Sequence, residues 1–559
     1  MRGIARAKTS LAIVAGACVL IGGVAQSASA ATFEVTRTDD PVPNGCAAGD
    51  CSLREAVIAA SGAGGKNVLR VKPGATYTLE IPGDSGPTVG DLDVGGLTSI
   101  QMGGTRSKPV TIDANGATTF NRAFFVGGSL SLKHVVVKNG VAPVGGDSTA
   151  RGGGIRVGPM GELRMTDSRV VENEADQDAP LNGFGGGIQS AGTVTLKRVV
   201  LEDNSADGTA GFGGGFHLSG GSATIVDSAV RSNDAEFGGG LAGDGGTAEL
   251  VRSDVDSNDA DASGGGIFVI NGPDFTLTNV TVYFNSAGSG GNLRARDATI
   301  RLRNSTVTEG LAGTASGISV QDDPGGADGA IRLANSLVAD NGQSGETDCV
   351  DQTGGQVISA GYNLISDMGA GACSVLAQPG DQFGNTGPGV PEIDSGLDVD
   401  VFNGGPLLPG ASRFITRLLR KKSPAIDAGA PEDYLLAPCE GKDARGVPRS
   451  LGKRCDIGAY ERVHCGGTLV NRVGTNRADH SKTSNLEPSG DADGYLGLDG
   501  PDRLVGGAGD DGICGGSGDD VLKGGDGKDV LDGGPGRDVC IGGPGNDKTK
   551  GCEVERSIP

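Results

Sequence analysis

The stretch that decides the fold is GGGFHLSGGSATIVDSAVRSNDAEFGGGLAGDGGTAELVRSDVDSN, residues 213–258. It contains one unit almost twice: three glycines, an apolar residue, two short runs with alternate apolar residues, and an asparagine. The same unit recurs on either side. GGGIRV (152), GGGIQS (185), GGGFHL (213), GGGLAG (238), GGGIFV (264) and GGNLRA (290) follow one pattern, and ASGISV ends the series. The apolar residues after the glycines are Ile155, Ile188, Phe216, Leu241, Ile267, Leu293 and Ile318, spaced by 33, 28, 25, 26, 26 and 25 residues. Alternation without a 3.6-residue period specifies strands. A repeat of ~25 residues specifies coils that stack on one another.

These features predict an all-β fold, a right-handed parallel β-helix with three short strands per coil. Each strand pairs with its counterpart one coil away, and Val, Ile and Leu stack inside. The glycines supply positive φ at a corner where a Cβ is costly. Asn204, Asn233, Asn258 and Asn285 close the units. Their side chains are expected to bond to the next coil's Asn, satisfying turn groups that burial would otherwise strand. The first coil exposes strand edges and needs a cover. CSLREAVIAAS, residues 51–61, supplies one: Ser52 and Glu55 make a capping box, and Leu53, Ala56, Val57 and Ala60 share one helix face.

The second repeat lies at residues 497–550 and divides into GLDGPDRLV, GGAGDDGIC, GGSGDDVLK, GGDGKDVLD, GGPGRDVCI and GGPGNDKTK. The template is G-G-x-G-x-D-x-U-x, U being large and apolar. Leu504, Ile513, Leu522, Leu531 and Cys540 occupy U, too little apolar surface to fold a chain unaided. Glycine turns direct carbonyl oxygens inwards and each unit adds a carboxylate, a donor set suited to Ca2+. The segment resembles the calcium-binding RTX nonapeptide family. That resemblance implies a parallel β-roll with two nonapeptides per coil. Asp502, Asp520 and Asp538 then line one edge, and Asp511, Asp529 and Asp547 the other. Expected ligands beside them are second- and fourth-position carbonyls: Gly507, Gly509, Gly516, Gly518, Gly525, Gly527, Gly534 and Gly536. The roll is expected to fold only when calcium binds.

Two further resemblances concern the β-helix. CSLREA is similar to the motif of the CSLREA-domain family of exported bacterial β-helix proteins. SPAIDAG (423–429), DARG (443–446) and CDIGAYE (455–461) resemble the choice-of-anchor Q domain. The resemblance implies that this region closes the helix and that the protein is exported. It implies no activity.

Composition sets the remaining bounds. Of 559 residues 103 are glycine, there is no collagen period, and the formal charge is −22. That charge excludes nucleic acid and an anionic membrane surface as partners. Residues 1–30 read as a secretory signal, with basic Arg2, Arg6 and Lys8, an apolar run over 11–25 and the cleavage site Ala28-Ser29-Ala30. No later run is long enough to span a membrane. Beyond Cys18, ten cysteines in an exported chain predict disulfides. The local pairs are Cys46–Cys51, Cys349–Cys373 and Cys439–Cys455, while Cys465, Cys514, Cys540 and Cys552 stay unassigned.

The expected organisation is a signal peptide (1–30), cap and first coils (31–110), the GGG coils (111–345), the anchor-like end (346–462), a linker or degenerate lead-in (463–496), the roll (497–550) and a tail (551–559). Polygalacturonase-like hydrolases show several motifs, of which only Gln321-Asp322-Asp323 is present, and His134, His217, His464 and His480 lack flanking glycines. No catalytic residue is assigned. The function read from the sequence is a secreted or cell-surface calcium-binding protein in adhesion or extracellular interaction. Its partner is an extracellular polysaccharide or another surface protein. A polysaccharide lyase or glycoside hydrolase is the alternative.

Overall fold

The structure is a computed structural model describing residues 30–558, except 84–85, 97, 143–148, 176–181, 327, 343–346, 370–371, 399–407, 412–415, 432, 450–452 and 482–485. The signal-peptide reading falls on residues 1–29, outside the described residues. Among these residues, no helix is long and apolar enough to cross a membrane.

Thirty strands join into one network of parallel pairs running from Ala31–Glu34 to Gln382–Phe383. Equivalent residues of successive units pair in register. Ile188 stands opposite Phe216, Phe216 opposite Leu241, Leu241 opposite Ile267 and Ile267 opposite Leu293. All are fully buried in one continuous core. The chain is thus a parallel β-helix. A fourth short run per coil, such as Ser286–Ser289 beside Asp259–Ser263, forms its own seven-stranded sheet, one more than the expected three strands.

The glycine triplets act at one corner. The first glycine is left-handed, φ being +67° at Gly213 and +64° at Gly238. The second and third have no room for a side chain. A Cβ on Gly214 would stand 2.3 Å from the Asp234 carbonyl oxygen and 2.6 Å from that of Gly239. Elsewhere the coils turn at left-handed residues other than glycine, Asp227, Arg252, Asn279 and Asn304 among them.

The asparagines form a buried ladder. Asn204 donates Nδ2–H to Asn233 Oδ1 at 2.9 Å, Asn233 to Asn258 at 2.9 Å and Asn258 to Asn285 at 2.9 Å. Backbone amides of Asn204, Asn233 and Asn258 donate to the same oxygens. At the next coil the expected position is Gly310, and the ladder continues through Asn292, which replaces the third glycine of GGN. Asn292 accepts from Asn285 Nδ2 at 2.8 Å and donates to Asn341 Oδ1 at 2.8 Å. A Cβ on Gly310 would lie 2.6 Å from Asn292 Nδ2, so the two exchanges accommodate each other. The ladder ends on Asp348, which accepts from Asn341 Nδ2 at 2.8 Å and whose carboxyl burial pushes up to about 7.

At the N-terminal end the helix Leu53–Ala63 carries both bonds of the capping box formed by Ser52 and Glu55. It buries Leu53, Ala56, Val57 and Ala60 over the first coils. Arg54 is buried on the same helix and pairs with Asp40.

The segment after residue 408 lies along the flank of the β-helix. Leu408, Ala444 and Ala459 pack on Val200 and Ala229. Arg449 Nη2 donates to Asn279 Oδ1 at 2.9 Å, and Asn304 Nδ2 to the Pro438 carbonyl at 3.2 Å. The charged residues of DARG and CDIGAYE tie this segment internally. Asp443 and Arg445, both fully buried, pair at 2.8 Å, and Arg445 stacks 3.9 Å over the Tyr460 ring. Arg449 pairs with Glu461 at 3.3 Å.

The three local disulfides are present. The other cysteines pair as Cys465–Cys514 and Cys540–Cys552. The first joins the end of the flank segment to the roll.

Candidate calcium-binding roll

Alternate nonapeptides enter two parallel sheets. One holds Thr468–Val473, Gly494–Asp499, Gly512–Ser517, Val530–Asp532 and Lys548–Lys550 in parallel, with His464–Cys465 added antiparallel at its edge. The other holds Arg503–Ala508, Val521–Asp526, Val539–Ile541 and Val554–Arg556. Pairing is offset by 18 residues: Leu504 faces Leu522, and Ile513 faces Leu531. Two nonapeptides therefore make one coil. Thr468–Val473 and Gly494–Asp499, before the best-matching nonapeptides, are also strands of the first sheet. Val554–Arg556 pairs with Val539–Ile541, so the expected tail over 551–559 contributes a strand to the second sheet. Between the sheets lie Leu486, Tyr495, Leu504, Ile513, Leu522, Leu531 and Cys540, all fully buried.

The aspartates stand in two columns along the roll, one per edge. Each uses one oxygen to bind the coil before it. Asp502 N–H donates to Asp520 Oδ1 at 2.8 Å, and Asp520 N–H to Asp538 Oδ1 at 2.8 Å. Asp511 N–H donates to Asp529 Oδ1 at 3.0 Å, and Asp529 N–H to Asp547 Oδ1 at 2.9 Å. The second oxygen, Oδ2, is buried in all six and has no hydrogen-bond partner among the described residues. An unpaired buried carboxylate oxygen costs desolvation free energy that a bound cation removes. Burial, and then the neighbouring aspartates of the column, push Asp502 up to about 7 and Asp511 up to about 6. Asp520 and Asp529 are raised for the same reasons, and Asp538 by burial and then by Glu553, Asp519 and Asp532.

The glycines have separate roles. A Cβ on Gly515, the first of its unit, would meet Asp520 Oδ2 at 2.2 Å and the Gly533 carbonyl oxygen at 2.7 Å. Gly506 relates in the same way to Asp511 Oδ2 and the Gly524 carbonyl. The first-position carbonyl of the next coil therefore shares this space with Oδ2. Second- and fourth-position carbonyls stack along the roll axis. The Gly507 oxygen lies 1.9 Å from where a Cβ of Gly525 would stand, and Gly509's 2.0 Å from that of Gly527. Gly516 and Gly518 face Gly534 and Gly536 in the same way. This assembly of hard oxygen donors fits a calcium ion: Ca2+ takes carboxylate and carbonyl oxygens together in tolerant geometry.

Three residues extend the columns beyond the nonapeptides. Asp479 N–H donates to Asp502 Oδ1 and Asp493 N–H to Asp511 Oδ1, both at 2.8 Å. Asp538 N–H donates to Glu553 Oε2 at 2.6 Å. Asp493 is signalled by its position 18 residues before Asp511, while Glu553 carries no signal in the repeat.

Residues weighed for catalysis are engaged structurally. Asp323 pairs with Arg296, and its N–H donates to Asp297 Oδ1 at 2.8 Å. Asp322 Oδ1 accepts from Gly329 N–H, and Gln321 Nε2 donates to Asp323 Oδ1 at 3.1 Å. His217 is buried beside the Phe184 and Phe212 rings, with Nε2 3.1 Å from Asp244 Oδ1.

The RTX calcium-binding nonapeptide repeat family matches residues 490–522 and 515–548. The roll thus carries RTX calcium-binding repeats. No curated protein matches the chain. Among solved structures, the chain is similar to that described as the crystal structure of pectate lyase Pel9A. The identity is 16% and the TM-score 0.35, over 78% of this chain and 98% of that one.

Proposed function

We propose that the protein is exported and acts outside the cell as a calcium-dependent interaction protein, in adhesion or envelope association. The β-helix is the presenting surface, and the roll is its calcium-stabilised C-terminal part. The observation carrying this reading is the pair of columns of buried aspartates, each with one unsatisfied oxygen. Five disulfides and the sequence's secretory signal support export. The CSLREA-like and anchor-like motifs agree with it. The calcium ligands are the Oδ2 atoms of Asp502, Asp511, Asp520, Asp529, Asp538 and Asp547 with glycine carbonyls of the adjoining coil.

Gly515→Ala tests the ligand assignment at the space shared by Asp520 Oδ2 and the Gly533 carbonyl oxygen. Gly515 does not have positive φ, so alanine suits its own dihedral angles, but its methyl occupies the space of Asp520 Oδ2 and crowds the Gly533 carbonyl oxygen, the two donors placed together there. Calorimetric titration of mature Ala31–Pro559 is expected to show several calcium ions bound, with one class of site weakened roughly 10- to 100-fold in the variant. Unchanged binding in Gly515→Ala would remove the assignment. The interaction reading is tested by co-sedimentation with bacterial envelope fragments in millimolar calcium. Retention in the pellet is expected, and its loss with EDTA; recovery of all protein in the supernatant would overturn it.

A further inference from the structure

Beside the first coils, far along the chain from the roll, an open groove of about 720 Å³ runs over the outer face of the β-helix. Its polar wall includes Glu34, Arg70, Lys72, Gln101, Ser131 and Lys133. In a chain of net charge −22 this local excess of cations stands out.

The register gives the excess a period. Arg70 faces Glu34 on one side. The pairing of Leu69 with Met102 sets Arg70 beside Gly103 on the other. Gly103 pairs with Lys133, Lys133 with Thr166 and Thr166 with Lys197. A cation thus stands on every second coil, with a small residue between. At ~4.8 Å per coil the cations repeat every ~10 Å along the axis. The column then turns apolar at Val226 and Val251, which bounds the patch.

The acids flanking the column are occupied. Glu34 pairs with Arg70 at 2.9 Å, Asp167 is held by Arg198 through Nε at 2.5 Å, and Asp227 by Arg252 through Nε at 2.8 Å. Lys72, Lys133 and Lys197 are exposed and form no ion pair among the described residues.

We propose that this groove, together with the column that continues past it through Thr166 and Lys197, binds a linear anionic polysaccharide laid along the β-helix axis, with one carboxylate or sulfate per two sugars. A hexose in an extended chain advances by about the rise of one coil, so alternate sugars meet alternate coils. Lys133 and Lys197 each take one anionic group, Lys72 beside the Glu34–Arg70 pair takes a third, and Gly103 and Thr166 leave room for the intervening sugars. Exposed lysines suit this role because they bind anions as mobile point charges with little prior ordering. The proposal deepens the interaction reading above and rests on it.

Hyaluronan, with one carboxylate per disaccharide, is the probe, and neutral dextran the control. Immobilised hyaluronan is expected to bind the full mature protein at low ionic strength, and binding is expected to fall with added salt. Reversing two exposed charges in Lys133→Glu/Lys197→Glu is expected to weaken binding about tenfold. Arg332→Glu, exposed on the same face but several coils away, is expected to leave it unchanged. Circular dichroism confirms that the variants are folded. Equal binding by wild type and the double variant would overturn the groove while leaving the interaction reading standing. Equal retention on dextran would overturn the charge match. If no hyaluronan binds but envelope fragments are still retained, this proposal alone fails; if neither binds, both fail.

Discussion

Chelation of calcium at pH 8 is expected to unfold residues 494–556 while the β-helix stays folded. The roll has seven fully buried apolar side chains, and its columns hold carboxylates in a dry interior. Without a cation, that arrangement concentrates negative charge where water cannot solvate it. Amide exchange at Leu504, Ile513, Leu522 and Leu531 should accelerate to the unprotected rate in EDTA, while Ile225, Leu250 and Leu277 of the β-helix stay protected. The pH dependence follows from the raised carboxyls. Asp502 titrates at about 7 and Asp511 at about 6 in the folded, calcium-free roll, against roughly 3.9 when unfolded. A carboxyl raised by folding contributes stability that is fully present below the unfolded value. That stability is lost as pH rises through the folded value. Calcium-free roll is therefore expected to be more protected at pH 4 than at pH 8. With calcium the order reverses, because the ion competes with protons for the same oxygens. Protection unchanged by EDTA at pH 8 would refute the account.

Replacing Arg54 by alanine is expected to be the most damaging single change in the N-terminal cap. Its Nε and Nη2 donate to the two oxygens of Asp40 at 2.8 and 2.7 Å, and further bonds reach the Gly90 and Asp91 carbonyls at 2.7 and 3.1 Å. Asp40 also accepts from the Glu80 amide at 3.0 Å. One side chain thus joins the capping helix, the loop before it and a later coil. Its removal leaves a buried carboxylate without its cation, at a cost of about 3–5 kcal/mol. Lysine does not restore a forked, two-bond contact. The double variant Arg54→Leu/Asp40→Leu should recover much of the loss, since no uncompensated charge remains. Thermal unfolding of the three variants measures this. Equal destabilisation by the single and double changes would show that packing, and not the orphaned charge, sets the cost.

What the sequence made legible was periodic. The GGG corners, the asparagine ladder and the 18-residue pairing of the roll each repeat a local requirement at fixed spacing, so several copies support one reading. Ser52 and Glu55 were readable because a capping box is confined to four residues. Features set by tertiary register were hidden. Arg252 turns the chain with positive φ although arginine is not a residue that marks such turns. Asn292 resembles a lapse in GGG until the ladder past Gly310 is seen. The strand Thr468–Val473 lies before the nonapeptides, in sequence without their period. The bond between Cys465 and Cys514 joins positions that no local spacing relates. In the roll, the repeat located the aspartates, but which oxygen of each is already used depends on the neighbouring coil.

The bridge from Cys465 to Cys514 also determines what a single cut can accomplish. A protease that nicks the chain once between these residues severs the polypeptide but does not release the roll, which stays covalently attached to the β-helix. A second bridge, Cys540–Cys552, likewise retains the last strand after a nick between its cysteines. Shedding by one cut is then confined to residues 515–539 or to sites outside both bridges. In a calcium-poor setting, where the roll is expected to open, that short span is the one place within the bridged region at which a single cut separates its two parts.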